Sequence, residues 1–240
     1  MSPNPLPRDF YDRDTVQVAK DLLGCRLYRQ VDGRLYAARV VETEAYCGPA
    51  DLACHAAKGL TPRTEPMFGP PGHAYVYFIY GLHHCLNAVT EKPGSGTAVL
   101  IRALEPLEGF AEGIRTDGPA RLTKALSIDK ALNKLDLTAG HALWLEEPAA
   151  PRGAIESGKR IGVDYAGEWA ERPWRYWLHS PWVSVRPRRA SGAETQGSPR
   201  AERAAAAPAP GAPGAGGGAS TAVLEGTPTL QDGAEGTGGL

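Results

Sequence analysis

The sequence predicts an α+β fold in which one domain is built on a curved, mainly antiparallel β-sheet with flanking helices. Two observations favour this class: strand-like runs follow one another along the chain, and most of the links between them have only turn length. Short links suit antiparallel neighbours, because a parallel crossover needs roughly a dozen residues or more. A third observation, a change of composition near the C-terminus, limits the extent of the domain.

The N-terminal elements are predicted to be a helix and a β-hairpin. The helix is expected to begin after Asp14, a residue type that caps helix N-termini, and to end at Gly24, which suits the left-handed conformation found there. The strand-like runs Cys25–Val31 and Leu35–Tyr46 follow. They are joined at Asp32-Gly33, a dipeptide that favours two-residue hairpin turns.

More strands and one more helix are predicted further along the chain. The helix is expected to open at Gly118-Pro119 and to run to about Ile128, because proline is well tolerated in a first helical turn. The strand-like runs are Ala74–Tyr80, Leu82–Thr90, Thr97–Leu104, His141–Glu147, Trp174–His179 and Trp182–Val185.

The composition divides the chain near residue 186. Residues 187–240 contain no aromatic side chain, and 31 of them are Gly, Ala or Pro. Such a segment cannot bury enough apolar surface to offset the entropy that it would lose on ordering. We therefore expect a folded domain over residues 1–186 and a disordered C-terminal tail over residues 187–240.

Charge and hydropathy exclude several classes of protein. Lys and Arg total 26 against 27 Asp and Glu, so the chain is not basic throughout, and any contact with nucleic acid must use a local basic face. No apolar run approaches the ~18 residues that cross a bilayer, and the N-terminus carries no visible signal peptide. The four cysteines form no CxxC pair, so we expect reduced thiols in a cytosolic protein.

Two predicted strands carry charged residues in apolar rows. By the twofold alternation of a strand, Glu42 and Glu44 share a face with Val40, and Arg102 shares a face with Leu104. Buried carboxylates are costly unless they are paired or functional. The pattern alone leaves open a structural Glu–Arg salt bridge and a functional pair.

The run from His73 to Tyr80 is unusually aromatic, with three tyrosines and one phenylalanine. Aromatic residues are common in core strands, but tyrosine rings also stack on planar bases. Because Tyr80 stands next to the turn at Gly81, its ring is expected to project from the end of a hairpin.

The histidines and cysteines raise the alternative of a metal-dependent hydrolase. Their spacings match no standard zinc pattern, and two adjacent histidines on a strand point to opposite faces. We therefore expect neither a metal nor another cofactor. The residues concerned are Cys47, Cys54, His55, His83, His84 and Cys85.

Eight segments in a fixed order carry a family resemblance. They are Val41–Tyr46, Thr61–Arg63, Met67-Phe68, Tyr75–Gly81, Leu86-Asn87, Val99–Leu107, Gly118–Leu126 and Ser180–Val185. Together they resemble the alkylpurine (3-methyladenine) DNA glycosylase family, in its compact bacterial form, over nearly the whole domain. The resemblance implies a single domain with a protruding β-hairpin. It also implies base excision repair, in which the N-glycosidic bond of alkylated or deaminated purines in duplex DNA is hydrolysed without a metal.

The resemblance further implies which residues activate and hold the water molecule that attacks C1′ of the sugar. Glu44 matches the general base, Arg102 matches the side chain that helps to hold the water, and the backbone carbonyl of Ile161 matches a third water contact. Since only one carboxylate can hold that water, Glu42→Gln is expected to have a mild effect on base excision. No lysine falls in the matched positions, so a monofunctional glycosylase is expected rather than one that forms a Schiff base.

Other matched residues recognise the base. Tyr46, His55 and Tyr77 match the side chains that sandwich the flipped base, and Asn87 matches a pocket-floor position that disfavours the exocyclic amine of guanine. Tyr80 matches the side chain that enters the minor groove and fills the gap left by the flipped nucleotide.

The expected partner is double-stranded DNA that contains damaged purines. Arg121, Lys124 and Lys130 are predicted phosphate contacts, with a solvated helix face as the alternative. A non-catalytic nucleic-acid-binding module is a second alternative, which Glu44 disfavours because a carboxylate repels phosphates. The protein is expected to act as a monomer in the cytoplasm, associated with the nucleoid and without membrane contact.

Overall fold

The computed structural model describes residues 2–79 and 83–184, and the strands within these ranges form one antiparallel sheet. The strands are β1 (Arg26–Val31), β2 (Arg34–Cys47), β3 (Ala74–Ile79), β4 (His83–Thr90), β5 (Thr97–Glu108), β6 (Leu143–Glu146), β7 (Ile155–Gly158) and β8 (Arg175–Leu178). The α-helices are α1 (Arg8–Tyr11), α2 (Thr15–Asp21) and α3 (Pro119–Ala125). Short 3₁₀ helices cover His55–Lys58, Glu65–Phe68, Lys130–Leu132 and Asp164–Glu171.

The sheet is organised around β2. Its strand order is β3-β4-β5-β2-β1-β6, with β8 beside β2 and β7 beside β8. One edge of β2 pairs with β5, while the other edge pairs first with β1 and then, over Glu42–Glu44, with β8. The sheet curls into a half-barrel, which confirms the expected α+β class with a curved antiparallel sheet.

The first elements form for the reasons read from the sequence. The side chain of Asp14 accepts a hydrogen bond of 2.8 Å from the backbone N–H of Gln17, and it thereby caps α2. At the β1–β2 turn, Asp32 and Gly33 have φ angles of 50° and 73°. Two consecutive positive φ angles match the twist of the flanking strands, so the tight hairpin forms at the predicted dipeptide.

Irregular pairing between β2 and β5 changes the alternation of side chains. The register shifts between Val40 and Glu42 and again between Glu42 and Thr43. As a result, Val40 and Leu104 both belong to the main apolar core, whereas Arg102 lines the cavity described below. The expectations that Val40 shares a face with Glu42, and Leu104 with Arg102, are therefore wrong, because an unpaired residue turns the following side chains to the other face.

The main core lies between the sheet and the helices. Val18 of α2 and Leu122 of α3 are fully buried there against Val99 and Ile101 of β5. A second cluster, which includes Tyr75 and other residues of the cavity region, is separate from this core. The helices thus cover one face of the sheet, and this leaves the other face available for a site.

Several of the predicted elements differ from the observed ones; α2, for example, ends at Asp21 and not at Gly24. Residues 182–184 of the predicted strand Trp182–Val185 form a turn outside the sheet, because the backbone N–H of Ser184 is bound by the buried carboxylate of Glu42 at 2.7 Å. The helix α3 ends at Ala125, short of the predicted Ile128, and Ser127 there has a positive φ of 49°.

Two predictions lie outside the described residues: the projection of Tyr80 and the C-terminal tail over residues 187–240. The boundary near residue 186 therefore stays a prediction. Within residues 2–79 and 83–184, no helix is both long and apolar enough to cross a membrane.

Candidate active site

A cavity of about 460 Å³ opens beside the strands β2 to β5. Its volume is in the range of small-molecule sites, roughly 300–1,000 Å³. Tyr46 of β2, Tyr77 of β3, Asn87 of β4 and Arg102 of β5 line it, together with Ile161 from the segment after β7. His55 lines it too, so six of the site residues singled out from the sequence meet at one cavity.

Glu44 is fully buried next to this cavity and is bound by three of its lining residues. Its Oε2 accepts a hydrogen bond of 2.8 Å from the hydroxyl of Tyr46, and its Oε1 accepts one of 2.8 Å from the backbone N–H of Ile161. Nη1 of Arg102 lies 3.3 Å from Oε2. These contacts fix the carboxylate in one orientation. A carboxylate offers about four acceptor positions, so three donors leave capacity to accept a proton from water.

Arg102 bridges the two buried carboxylates of β2. Its Nε lies 3.4 Å from Oε1 of Glu42 and 3.2 Å from the hydroxyl of Ser184, while its Nη1 faces Glu44. Burial opposes the charged form of Arg102, but Glu44 and Glu42 outweigh this and raise the pKa of its guanidinium. The side chain is therefore a permanent cation at the wall of the cavity.

Glu42 anchors this arrangement from behind. Its Oε1 accepts a hydrogen bond of 2.5 Å from Nε of Arg175, and its Oε2 accepts the one from Ser184. The side chain is fully buried. These contacts predict that Glu42→Gln lowers the stability of the domain, because every one of them uses the negative charge or an acceptor oxygen; the expected mild effect on base excision stays a prediction.

Aromatic rings form another wall of the cavity. The rings of His55 and Tyr77 meet edge to face with centroids 4.6 Å apart, and the rings of Tyr75 and Tyr77 are 5.1 Å apart. Nδ1 of His55 lies 3.0 Å from the hydroxyl of Tyr75. Tyr46 is the third predicted base contact, and it lines the same cavity. A flat, uncharged ligand would therefore find several π-faces and edges here.

Burial controls the protonation of these rings. Burial, followed by repulsion from Arg63 and Lys58, lowers the pKa of His55 to about 4, so the imidazole is neutral near pH 7. Burial and the neighbouring Glu44 raise the pKa of Tyr46 well above its usual range. The Tyr46 hydroxyl therefore stays protonated and acts as the donor to Glu44.

Asn87 and Ile161 are held by single, well-defined hydrogen bonds. Nδ2 of Asn87 donates to the backbone carbonyl of Tyr75 at 2.9 Å, which fixes the orientation of the buried amide. For Ile161 the structure shows a contact that the sequence did not suggest, the N–H bound to Glu44. The role expected for the Ile161 carbonyl stays a prediction.

Comparison with known proteins identifies the family. The family model described as "Methylpurine-DNA glycosylase (MPG)" matches residues 9–181. The chain belongs to this family. Its fold and its activity follow the expected resemblance, and the chain is a DNA N-glycosylase whose partner is DNA.

Curated relatives of this glycosylase agree with the assignment. The chain is 54% identical over 175 residues to a protein of Myxococcus xanthus, covering 73% of this chain and 90% of the relative. It is 53% identical to a protein of Methanocella arvoryzae, covering 75% and 96%, and 51% identical to one of Legionella pneumophila, covering 75% and 97%. All three carry the name "Putative 3-methyladenine DNA glycosylase".

The predicted phosphate contacts of the glycosylase lie on the surface around α3. Arg121, Lys124 and Lys130 are exposed. Arg121 is paired at 2.7 Å with Asp117, which also pairs with Arg115. The exposure of all three is compatible with phosphate contact and with a solvated face, so these contacts stay predictions, as does the wedge role of Tyr80.

Several residues of the site escaped the sequence analysis. Arg63 lies over the ring of Tyr77, 5.4 Å from its centroid, and Ser184 holds Arg102. Arg160 and Asp51 form a buried ion pair behind Tyr46. Arg63 and Ser184 do lie in segments that carry the resemblance, but no role was assigned to them there. Local periodicity marks none of the four residues, because their partners lie elsewhere along the chain.

The alternative of a metal centre finds no ligand cluster in the described part of the chain. Within it, no group of three or more His, Cys, Asp or Glu side chains is arranged to hold a metal ion. The cysteines Cys25, Cys47, Cys54 and Cys85 are free thiols.

Proposed function

We propose that this enzyme is a monofunctional glycosylase that hydrolyses the N-glycosidic bond of damaged purines flipped out of duplex DNA. It acts as a monomer, and its duplex substrate associates it with the nucleoid.

The observation that carries the proposal is the environment of Glu44. A buried carboxylate held by Tyr46, Ile161 and Arg102 at the wall of an aromatic cavity is suited to orient one water molecule. Its negative charge also favours a sugar that becomes positive as the base departs. A module that only bound DNA would gain nothing from this charge, since it repels phosphates.

The chemistry requires few groups. As the bond between C1′ and the purine nitrogen breaks, its electron pair leaves with the base, and positive charge develops on the sugar. Water then bonds to C1′ and gives a proton to the Glu44 carboxylate, which acts as the general base. Arg102 holds both the water and the carboxylate in place, so little orientational freedom is lost in the transition state.

The rest of the lining supports a monofunctional enzyme and a purine substrate. Among the described lining residues the cations are Arg63 and Arg102, and there is no lysine that could form a Schiff base. Tyr46, Tyr77 and the neutral ring of His55 offer stacking surfaces that suit a flat, electron-poor alkylated base. The fixed amide of Asn87 can read an exocyclic group at the opposite edge of the base.

The direct test is an excision assay on duplexes that each carry one 3-methyladenine, hypoxanthine or ethenoadenine, with EDTA present. We expect abasic sites without strand breaks, at the same rate with and without EDTA, and none from undamaged duplex. Strand cleavage with borohydride-trapped enzyme would contradict the monofunctional mechanism. The absence of abasic sites from every lesion would overturn the proposed substrate class.

Tyr80→Ala should weaken binding to a lesion duplex and leave the melting temperature of the protein close to the wild-type value. The reason is that a wedge holds the flipped state, and the loss of one stacking aromatic costs roughly 1–3 kcal/mol. Ethenoadenine fluorescence reports flipping directly. As a comparison, Tyr77→Ala should lower both stability and activity, because Tyr77 packs within the aromatic wall. A large loss of stability in Tyr80→Ala would instead identify a packing residue.

A further inference from the structure

The site contains an ion pair that the proposed chemistry does not use. Arg160 and Asp51 have fully buried side chains, with Nη1 to Oδ2 at 2.5 Å and Nη2 to Oδ1 at 2.8 Å. This bidentate geometry satisfies both carboxylate oxygens at once. The pair lies behind Tyr46, with the guanidinium carbon of Arg160 4.9 Å from the centre of the ring.

Both members of the pair also bind the backbone around the cavity. Arg160 donates to the carbonyls of Ala45 at 2.9 Å and Trp169 at 3.0 Å. Asp51 accepts from the N–H groups of Cys47 and Ala53, each at 3.1 Å. The end of β2, the loop after it and the segment after β7 are therefore joined at one point.

That point is directly connected to Glu44. Arg160 precedes Ile161, whose N–H donates to Oε1 of Glu44, and its guanidinium covers a face of Tyr46, whose hydroxyl donates to Oε2. We propose that Arg160 and Asp51 are positioning residues, which hold these two donors against the general base. The proposal rests on the assignment of Glu44 as that base.

Stability alone explains the pair poorly. Buried ion pairs often contribute less stability than well-packed apolar residues of similar volume, because desolvation of the charges is costly. The Nε of Arg160 is also buried without a hydrogen-bond partner in the described part of the chain, a further cost. What the pair supplies is direction: a planar guanidinium can bind Asp51, Ala45 and Trp169 together and still stack on Tyr46, which an ammonium group cannot do.

The first test is Arg160→Lys, which keeps the charge and loses the planar fork. We expect single-turnover excision to fall about 10- to 100-fold, the range seen when outer residues that orient a reacting group are changed. The dissociation constant for a lesion duplex should stay within about threefold. Measurement well below the melting temperature of each variant separates this effect from a loss of folded protein. Arg39→Lys is the matched control, because Arg39 also pairs with a carboxylate, that of Glu105 across β2 and β5, but lies away from the cavity lining and should keep the wild-type rate.

A second variant provides a test that is valid even if Arg160→Lys fails to fold. In Asp51→Asn/Arg160→Met both charges are removed, so no uncompensated charge is buried, and the domain should remain folded. We expect the same loss of rate. A folded double variant with a rate within about threefold of wild type would overturn the proposal, as would an unchanged rate in Arg160→Lys.

Hydrogen exchange at the Ile161 amide provides a readout that does not depend on catalysis. We expect faster exchange in both variants, because the N–H is no longer held against Glu44, and unchanged exchange in Arg39→Lys. Unchanged protection would contradict the positioning role. If Glu44→Gln retained full activity while Ile161 lost protection in these variants, the assigned base would be wrong and the positioning of the amide would still be correct.

Discussion

Glu44→Gln should reduce base excision by roughly 100- to 10,000-fold, the contribution of a well-placed general base. The amide keeps the size of the side chain but cannot take a proton from water. Binding to a lesion duplex should be retained or tightened, because a negative charge is removed near phosphates. Single-turnover excision and a binding titration on the same duplex measure the two effects separately.

Two results would contradict the assignment of Glu44 as the general base. Turnover close to wild type in Glu44→Gln would exclude Glu44 as the base, and weaker binding in proportion to the lost rate would indicate a binding role instead. Melting curves complete the comparison, since Glu44 is buried among three donors and the variant must be folded when its rate is measured.

Glu42→Gln should destabilise the domain by about 3–5 kcal/mol, the usual cost of breaking a buried pair from one side. The amide of glutamine would turn an N–H group toward either the guanidinium of Arg175 or the N–H of Ser184, both of which are donors. For a domain of this size we expect a fall in melting temperature on the order of 10 °C.

Glu105→Gln is the matched control for Glu42. Glu105 pairs with Arg39 between the same strands but is partly exposed, so its loss should cost only about 0–1 kcal/mol. Denaturant titration of both variants gives the two free energies of unfolding. Equal, small losses would show that Glu42 is not the buried anchor described above.

The sequence indicated the main parts of the site for identifiable reasons. Glu44 and Tyr46 stand two residues apart on a strand, and regular alternation past the irregular pairing brings both to the cavity side. The resemblance supplied roles for residues that are distant along the chain, such as Arg102 and Ile161. Family motifs of this kind indicate which distant residues share a site, and hydrophobic periodicity cannot indicate this.

What the sequence analysis missed depends on long-range pairing. The irregular β2–β5 pairing places Val40 in the core. No residue type in the strand predicts this irregularity from the sequence. Ser184 leaves the predicted strand because Glu42, far earlier in the chain, binds its N–H. The Arg160–Asp51 pair joins residues more than a hundred positions apart, and only the folded backbone brings them together.

The position of β2 links activity to the integrity of the whole domain. The strand carries Glu42, Glu44 and Tyr46, and it is hydrogen-bonded to neighbours along both edges. We expect that an interior strand of this kind separates from its neighbours only when the whole sheet unfolds. The free energy of that separation should therefore be close to the free energy of global unfolding. We therefore expect Glu44, the proposed general base, to stay in place as long as the sheet survives, so that heat abolishes catalysis and structure in a single transition.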